Sequence, residues 1–211
     1  MRFSRRACLL VLCFTALLGG ASAAAARGVL TRVEYQQLQL AQKRIRSLIS
    51  SNARSFEKAN AVCTHMHPVS PLIAAVRRGC LDLIRLGGDE DKLNARATRC
   101  GINPGSQAGL LSCMLPAVRS YYADANAFYK DESAVNRLAK ARGFSRKCVA
   151  VIGDSTANIA AEGRLAQDLK AAVTALQQQN PNALQTLFNQ IHSDVRSIRP
   201  GPTSLSLCPH R

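Results

Sequence analysis

The chain has 211 residues, a formal net charge of +15 and eight cysteines. About 185 residues remain after the N-terminal segment described next, enough for one domain with its own hydrophobic core, so disulfides are not needed as the only scaffold. The positive charge attracts nucleic acid, anionic lipid and acidic wall polymers without selecting among them. An arginine-rich coding bias explains the same composition equally well.

Residues 1–26 have the organisation of a secretory signal peptide. Arg5, Arg6 and a further arginine precede an uncharged, mostly apolar run over residues 7–18, and Ala21-Ser22-Ala23 supplies small residues for cleavage. The run is shorter than the roughly 20 residues that span a bilayer. We expect cleavage after residue 23 to 26 and an extracellular or cell-envelope protein without a transmembrane segment. The adjacent arginines leave the twin-arginine route open beside the general secretory one.

Six cysteines remain after removal of Cys8 and Cys13, and an even number in an exported chain predicts three disulfides. We predict Cys148–Cys208, since two helices between them would form a hairpin that returns to one end of the fold. For the other four we favour Cys63–Cys100 and Cys80–Cys113, among the 15 pairings that six cysteines allow.

The first helix is marked at its start by Thr31 and Glu34, which have the spacing of a capping box. Because no glycine or proline interrupts Val33 to Met66, we predict one continuous helix of about 30 residues, about 45 Å long. Apolar residues recur along it mostly at three- and four-residue steps, as on a buried helical face. That face comprises Leu38, Ala41, Ile45, Leu48, Phe56 and Ala59.

The next two helices are bounded by capping residues and glycines. Ser70-Pro71 marks the start of the second helix and Gly87-Gly88 predicts its end. The acidic residues 89–91 favour the start of a short third helix, which ends near Cys100-Gly101. A loop that contains glycine and proline follows over residues 102–107.

The fourth helix is long, with one apolar face from Leu111 to Ala139 and Pro116 as an expected kink or division. Ser145 starts a fifth helix and Asn180-Pro181 a sixth. Long helices with short connections predict an all-α fold, an antiparallel helical bundle of about five to six helices stapled by three disulfides. We assign residues 27–200 to the bundle and 201–211 to a nonhelical C-terminal tail tethered by Cys208.

One short segment resembles an enzyme motif. Gly153-Asp154-Ser155 resembles the nucleophile block of GDSL-type lipases and esterases, which implies Ser155 as the nucleophile of an ester hydrolase. Neither His192 nor His210 has an aspartate three residues before it, and no Gly-x-Asn-Asp block occurs. The alternative is structural: apolar residues from Ile152 to Leu176 predict one helix that runs through the motif, in which Gly153 costs only about 1 kcal/mol relative to alanine.

A second segment groups soft metal ligands. Cys63-Thr64-His65-Met66-His67 brings sulfur and imidazole groups together, and His65, Met66 and His67 are candidate ligands for copper or zinc. The alternative is a helix C-terminus, where histidine faces the helix dipole favourably. Cys63 is already assigned to a disulfide.

The strongest basic run is a candidate anion-binding site. It comprises Arg137, Lys140, Arg142, Arg146 and Lys147, with no acidic residue among them. Part of it also suits a helix C-terminus. Such a run predicts an affinity for polyanions that weakens as salt screens the charges. It does not predict recognition of a specific nucleic-acid sequence.

We therefore expect a non-catalytic binding or structural module with a basic surface and no cofactor. Its expected partner is an anionic cell-surface polymer, a membrane surface or another protein. The alternative is a carrier of metal, haem or lipid that uses the Cys63–His67 segment or the bundle interior. An ester hydrolase that uses Ser155 ranks third.

Overall fold

The computed structural model describes residues 28–49, 56–102, 106–199, 202 and 204–211. The predicted signal peptide, residues 1–26, lies outside these ranges. The all-α prediction is confirmed. The helices are α1 (Arg32–Ile49), α2 (Phe56–Thr64), α3 (Pro71–Ile102), α4 (Gln107–Ala141), α5 (Arg146–Ile152), α6 (Thr156–Gln177) and α7 (Pro181–Ser197).

Helix α1 begins where the capping box predicts. The Glu34 N–H donates to Thr31 Oγ1 (3.2 Å), and the Thr31 N–H donates to Glu34 Oε2 (2.9 Å). Leu38 and Ala41 are buried as predicted. The other residues assigned to this face lie outside the side chains that the structure describes: Ile45, Leu48, Phe56 and Ala59.

The predicted continuous helix from Val33 to Met66 is wrong, because the chain reverses between α1 and α2. The His67 N–H, just beyond α2, donates to Gln37 Oε1 near the start of α1 (3.1 Å). In one straight helix these residues would lie about 45 Å apart. A 3.6-residue period is satisfied equally well by one long helix and by two shorter helices that pack together, so the pattern does not reveal the reversal.

Helix α3 passes through Gly87-Gly88, so the helix end predicted there and the separate third helix are wrong. Leu86 and Leu93 flank the glycine pair and are buried in a core shared with α4, α6 and α7. Burial of two leucines stabilises by about 3–6 kcal/mol, whereas two interior glycines cost about 2 kcal/mol. The packing of these leucines therefore outweighs the local tendency of the glycine pair to end the helix.

The disulfides follow from this continuous helix. The bond Cys148–Cys208 confirms its prediction, but the predicted pairs Cys63–Cys100 and Cys80–Cys113 are wrong. Cys80 and Cys100 lie on one helix, about 30 Å apart along its axis. Cys63–Cys80 joins α2 to α3 near the start of α3, and Cys100–Cys113 joins the end of α3 to α4.

Helix α4 is continuous over 35 residues with Pro116 inside it, and the Ser106 side chain caps its start by accepting from the Gly109 N–H (3.0 Å). Helices α3, α4, α6 and α7 form an antiparallel bundle, which supports the predicted architecture. The predicted apolar face of α4 is buried as expected at Leu111, Val118, Ala125, Phe128, Val135 and Ala139.

The predicted helix through Gly153-Asp154-Ser155 is wrong. Helix α5 ends at Ile152, and α6 begins at Thr156. A Cβ atom at Gly153 would lie 2.5 Å from Val135 Cγ1 of α4, so only glycine fits where the junction crosses that helix. Ile152 belongs to a core that α5 forms with α1, α3, α4 and the tail, whereas Leu165 belongs to a second core formed by α3, α4, α6 and α7. The junction therefore separates two apolar clusters.

The tail beyond α7 is tethered by Cys208, as predicted, and it also pairs with the start of the described chain. The Leu30 N–H donates to Pro209 O (2.8 Å), and the Arg211 N–H donates to Leu30 O (3.0 Å). The His210 ring stacks on Tyr35 with 3.8 Å between centroids. Leu205–Leu207 form a 3-10 turn, so the tail is not wholly nonhelical.

Candidate anion-binding surface

The Gly153-Asp154-Ser155 junction uses its polar groups to start a helix. Ser155 Oγ accepts from the Asn158 N–H (3.1 Å) and caps α6. Asp154 Oδ1 accepts from the Ser155 N–H (2.7 Å) and from Asn158 Nδ2 (2.6 Å). Within the described part of the chain, no histidine hydrogen-bonds to Ser155.

The same junction ties three helices together. Asn136 Nδ2 of α4 donates to Asp154 O (3.1 Å). Asn158 of α6 binds both backbone groups of Arg199, beyond the end of α7: its Nδ2 donates to Arg199 O (2.6 Å), and its Oδ1 accepts from the Arg199 N–H (2.9 Å). The hydrogen bonds of Asp154, Asn136 and Asn158 therefore serve to hold these helices together.

Beneath the junction, Glu132, Asp154 and Glu162 bring three carboxyl groups together. Glu162 is 4% exposed, and as an ionised group neither of its oxygens has a hydrogen-bond donor among the described residues. As a protonated acid it donates to Asp154. Glu132 accepts from the Asp154 N–H, while its Oε2 atom is buried without a partner. The arrangement therefore favours protons on the two glutamates.

Burial and mutual repulsion set the acidity of this cluster. Burial raises the pKa of Glu162 to about 10, and the nearby charges of Asp154 and Glu132 act in the same direction. Burial and the Asp154 charge raise the pKa of Glu132 to about 8. Burial also raises the pKa of Asp154, although hydrogen bonds from Glu162, Asn158 and Ser155 oppose this. No lysine or arginine of the described chain is among the groups that set these values.

Three more carboxylate pairs lie at helix interfaces. Burial and Asp131 raise the pKa of Asp82 to about 6, and burial also raises the pKa of Asp124 and of Asp168. Exposed basic side chains form ion pairs with several of these carboxylates; for example, Lys92 Nζ donates to Asp89 Oδ1 (2.7 Å). Acidic groups therefore collect between helices. The pairs are Asp82–Asp131, Asp89–Asp124 and Asp168–Asp194.

The three candidate metal ligands of the Cys63–His67 segment are not brought together. Met66 is buried in the core, whereas His65 and His67 are exposed. His65 Nδ1 lies 2.5 Å from Ala61 O at the end of α2, the contact expected of a histidine at a helix C-terminus. Among the residues that the structure describes, no three His, Cys, Asp or Glu side chains are arranged to hold a metal ion.

The five predicted anion-binding residues differ in solvent exposure, and Lys140 Nζ donates to Thr156 Oγ1 (3.2 Å). Arg142 is engaged, because Nη1 donates to Glu34 Oε1 (2.6 Å) and Nη2 donates to Glu34 Oε2 (2.9 Å) and to Val29 O (2.8 Å). Burial alone would raise the pKa of Glu34, but hydrogen bonds from Arg142, Ser70 and Thr31 lower it to about 2. The other four are exposed: Arg137, Lys140, Arg146 and Lys147.

The charged side chains that the structure describes are unevenly divided between exposed and less exposed positions. Of the nineteen Lys and Arg side chains that the structure describes, sixteen are exposed, whereas Asp91 is the one exposed carboxylate among twelve described Asp and Glu side chains. Sequence reasoning missed this separation of charge. The exposed bases are Arg32, Arg78, Arg85, Lys92, Arg99, Arg119, Lys130, Arg137, Lys140, Arg146, Lys147, Arg164, Lys170, Arg196, Arg199 and Arg211.

Comparison with protein-family models, with curated proteins and with solved structures finds no match to the chain. Within the described ranges, no helix combines the length and the apolarity that a bilayer crossing requires. The three disulfides are compatible with an oxidising compartment.

Proposed function

We propose that the mature protein is an exported, non-catalytic helical module that binds an anionic polymer of the cell surface through its basic exterior. The observation that carries this proposal is the separation of charge: exposed bases outnumber exposed acids sixteen to one among the described side chains. Four of these bases form ion pairs with carboxylates at helix interfaces, and the other twelve exposed bases still outnumber the one exposed acid. Export is supported by the signal-like residues 1–26 together with the three disulfides.

A coding bias toward arginine is a weaker explanation of this surface. Such a bias adds positive charge, but it gives no reason for nearly all described carboxylates to lie at helix interfaces or in ion pairs. Ser155 acts as a helix cap, and the candidate metal ligands diverge, so neither the hydrolase nor the carrier alternative gains support from a specific contact.

The test is retention of the disulfide-intact mature protein on beads that carry long-chain polyphosphate, with uncharged dextran beads as the control. We expect retention near 50 mM salt and release near 500 mM, where the screening length falls from about 14 Å to about 4 Å. Equal retention on dextran, or retention that salt does not reverse, would contradict the proposal. Turnover of a generic ester that disappears in Ser155→Ala would favour the hydrolase instead.

A further inference from the structure

Three bases lie in one line on the outer face of α4. Arg119, Lys130 and Arg137 are separated by 11 and 7 residues. At about 100° per residue these separations place the three Cα atoms within about 20° of one another around the helix axis. At 1.5 Å per residue they span about 27 Å along it. We call these three residues the α4 basic line.

The α4 basic line is made of unengaged cations. All three side chains are exposed, and none makes a hydrogen bond or an ion pair within the part of the chain that the structure describes. Arg142 near the end of the same helix differs, since both of its outer nitrogens donate to Glu34. The line can therefore bind an external anion without first breaking an internal contact.

Acidic residues of α4 point away from this line. Asp131 accepts from Arg78 Nε of α3 (3.0 Å), and Asp124 faces Asp89 of the same neighbour. Glu132 lies in the buried carboxyl cluster at the junction with α6. The outer face of α4 is consequently a positive strip on which no carboxylate of α4 competes for its cations.

The side chains of α4 favour an extended anionic polymer over a bilayer surface or a single-stranded nucleic acid as the ligand of the α4 basic line. A bilayer surface is usually bound with large apolar side chains that enter it, yet none of the exposed large apolar residues among the described side chains belongs to α4. Single-stranded nucleic acid is usually bound on exposed aromatic rings, yet the tyrosines of α4 are partly buried. The apolar residues are Val33, Leu40, Val69 and Leu207, and the tyrosines are Tyr121, Tyr122 and Tyr129.

On the basis of the proposed function, we infer that an extended phosphate polymer lies along α4 and is bound by Arg119, Lys130 and Arg137. Guanidinium groups bind phosphate oxygens in pairs, and an ammonium group adds a point charge. A polymer with an anion on every short repeat can place one at each base along about 27 Å without a fixed register.

The experiment compares two triple variants of the full mature chain that remove equal charge. The first is Arg119→Gln, Lys130→Gln, Arg137→Gln. The control is Arg32→Gln, Lys170→Gln, Arg196→Gln, which removes three exposed bases from three different helices. The probe is long-chain inorganic polyphosphate, titrated at several salt concentrations, and circular dichroism checks that both variants are folded.

We expect the α4 variant to lose at least about tenfold in affinity, and the slope of log affinity against log salt to fall by about 2, as for three lost phosphate contacts. The control should lose less than about threefold. Equal losses in both variants would overturn the α4 line while leaving the proposed function in place. Absence of salt-dependent binding by the unmodified protein would overturn both. A preference for anionic vesicles, single-stranded nucleic acid or a carboxylate polymer over polyphosphate would overturn the assignment of the ligand.

Discussion

Replacement of Glu162 by glutamine is expected to stabilise the protein, and to do so more strongly as the pH rises. In the folded state this side chain is 4% exposed and its pKa is raised to about 10, whereas its ordinary pKa is 4.5. Folding above pH 4.5 therefore requires the glutamate to take up a proton that it has lost in the unfolded chain. The amide of glutamine has no such requirement, and it keeps a donor for Asp154.

The magnitude follows from the two pKa values. A group with a raised folded pKa contributes its full stability below the unfolded pKa and loses it as the pH rises toward the folded pKa. Each pH unit between these values costs about 1.4 kcal/mol, so the cost at pH 7 is about 3 kcal/mol. We expect Glu162→Gln to raise the free energy of unfolding by about 2–3 kcal/mol at pH 7 and to leave it nearly unchanged at pH 4.5.

Urea unfolding with the disulfides intact, followed by circular dichroism between pH 4.5 and pH 8, measures this difference. The matched control is Asp91→Asn, which neutralises the exposed carboxylate of α3. It should show a small difference with little dependence on pH. If Glu162→Gln gives the same difference at every pH, or destabilises the protein at pH 7, the buried carboxyl cluster does not hold its protons as argued.

Three further substitutions test other parts of the fold by the same unfolding assay. Gly88→Ala should stabilise by about 1 kcal/mol, because the added Cβ meets no atom within 4 Å inside α3. Gly153→Ala should destabilise by about 1–3 kcal/mol, because its Cβ would lie 2.5 Å from Val135 Cγ1; a neutral result would mean that the junction moves easily. Glu34→Gln should cost about 1–3 kcal/mol at pH 7, since it breaks a largely buried ion pair whose arginine is partly exposed. The Glu34 pKa is lowered to about 2, so that cost should shrink as the pH falls from 4.5 toward 2, and a constant cost would contradict the assignment.

Several helix starts were predicted correctly from capping residues, although the Ser155 cap of α6, which is of the same kind, was missed. Thr31 with Glu34, Ser70, Ser145 and Asn180 each cap the helix start that the sequence predicts. A cap is a hydrogen bond between residues about three positions apart, so the sequence contains everything that it needs. The bond Cys148–Cys208 could also be predicted from the sequence, because the helical hairpin between the two cysteines brings its two ends together.

The buried carboxyl cluster left a weaker signal that sequence reasoning passed over. Glu162 lies three residues before Leu165 and seven before Leu169, on the apolar face of α6. A charged residue at such a position indicates burial with a partner. Its neighbours Glu132 and Asp154 come from α4 and from the junction, and no spacing along the chain predicts that they meet it.

The sequence by itself determined the all-α class, most helix starts and one disulfide, because these depend on periodicity, on caps and on a single hairpin. Only the tertiary structure decided that α3 continues through Gly87-Gly88 and that the predicted helix is interrupted at Gly153. It also decided that Cys80 and Cys100 bond to cysteines of different helices. The separation of charge belongs to this second group. Whether a carboxylate lies between helices or in solvent depends on which helices pack together, and burial of apolar area between distant segments outweighs local preferences of about 1 kcal/mol.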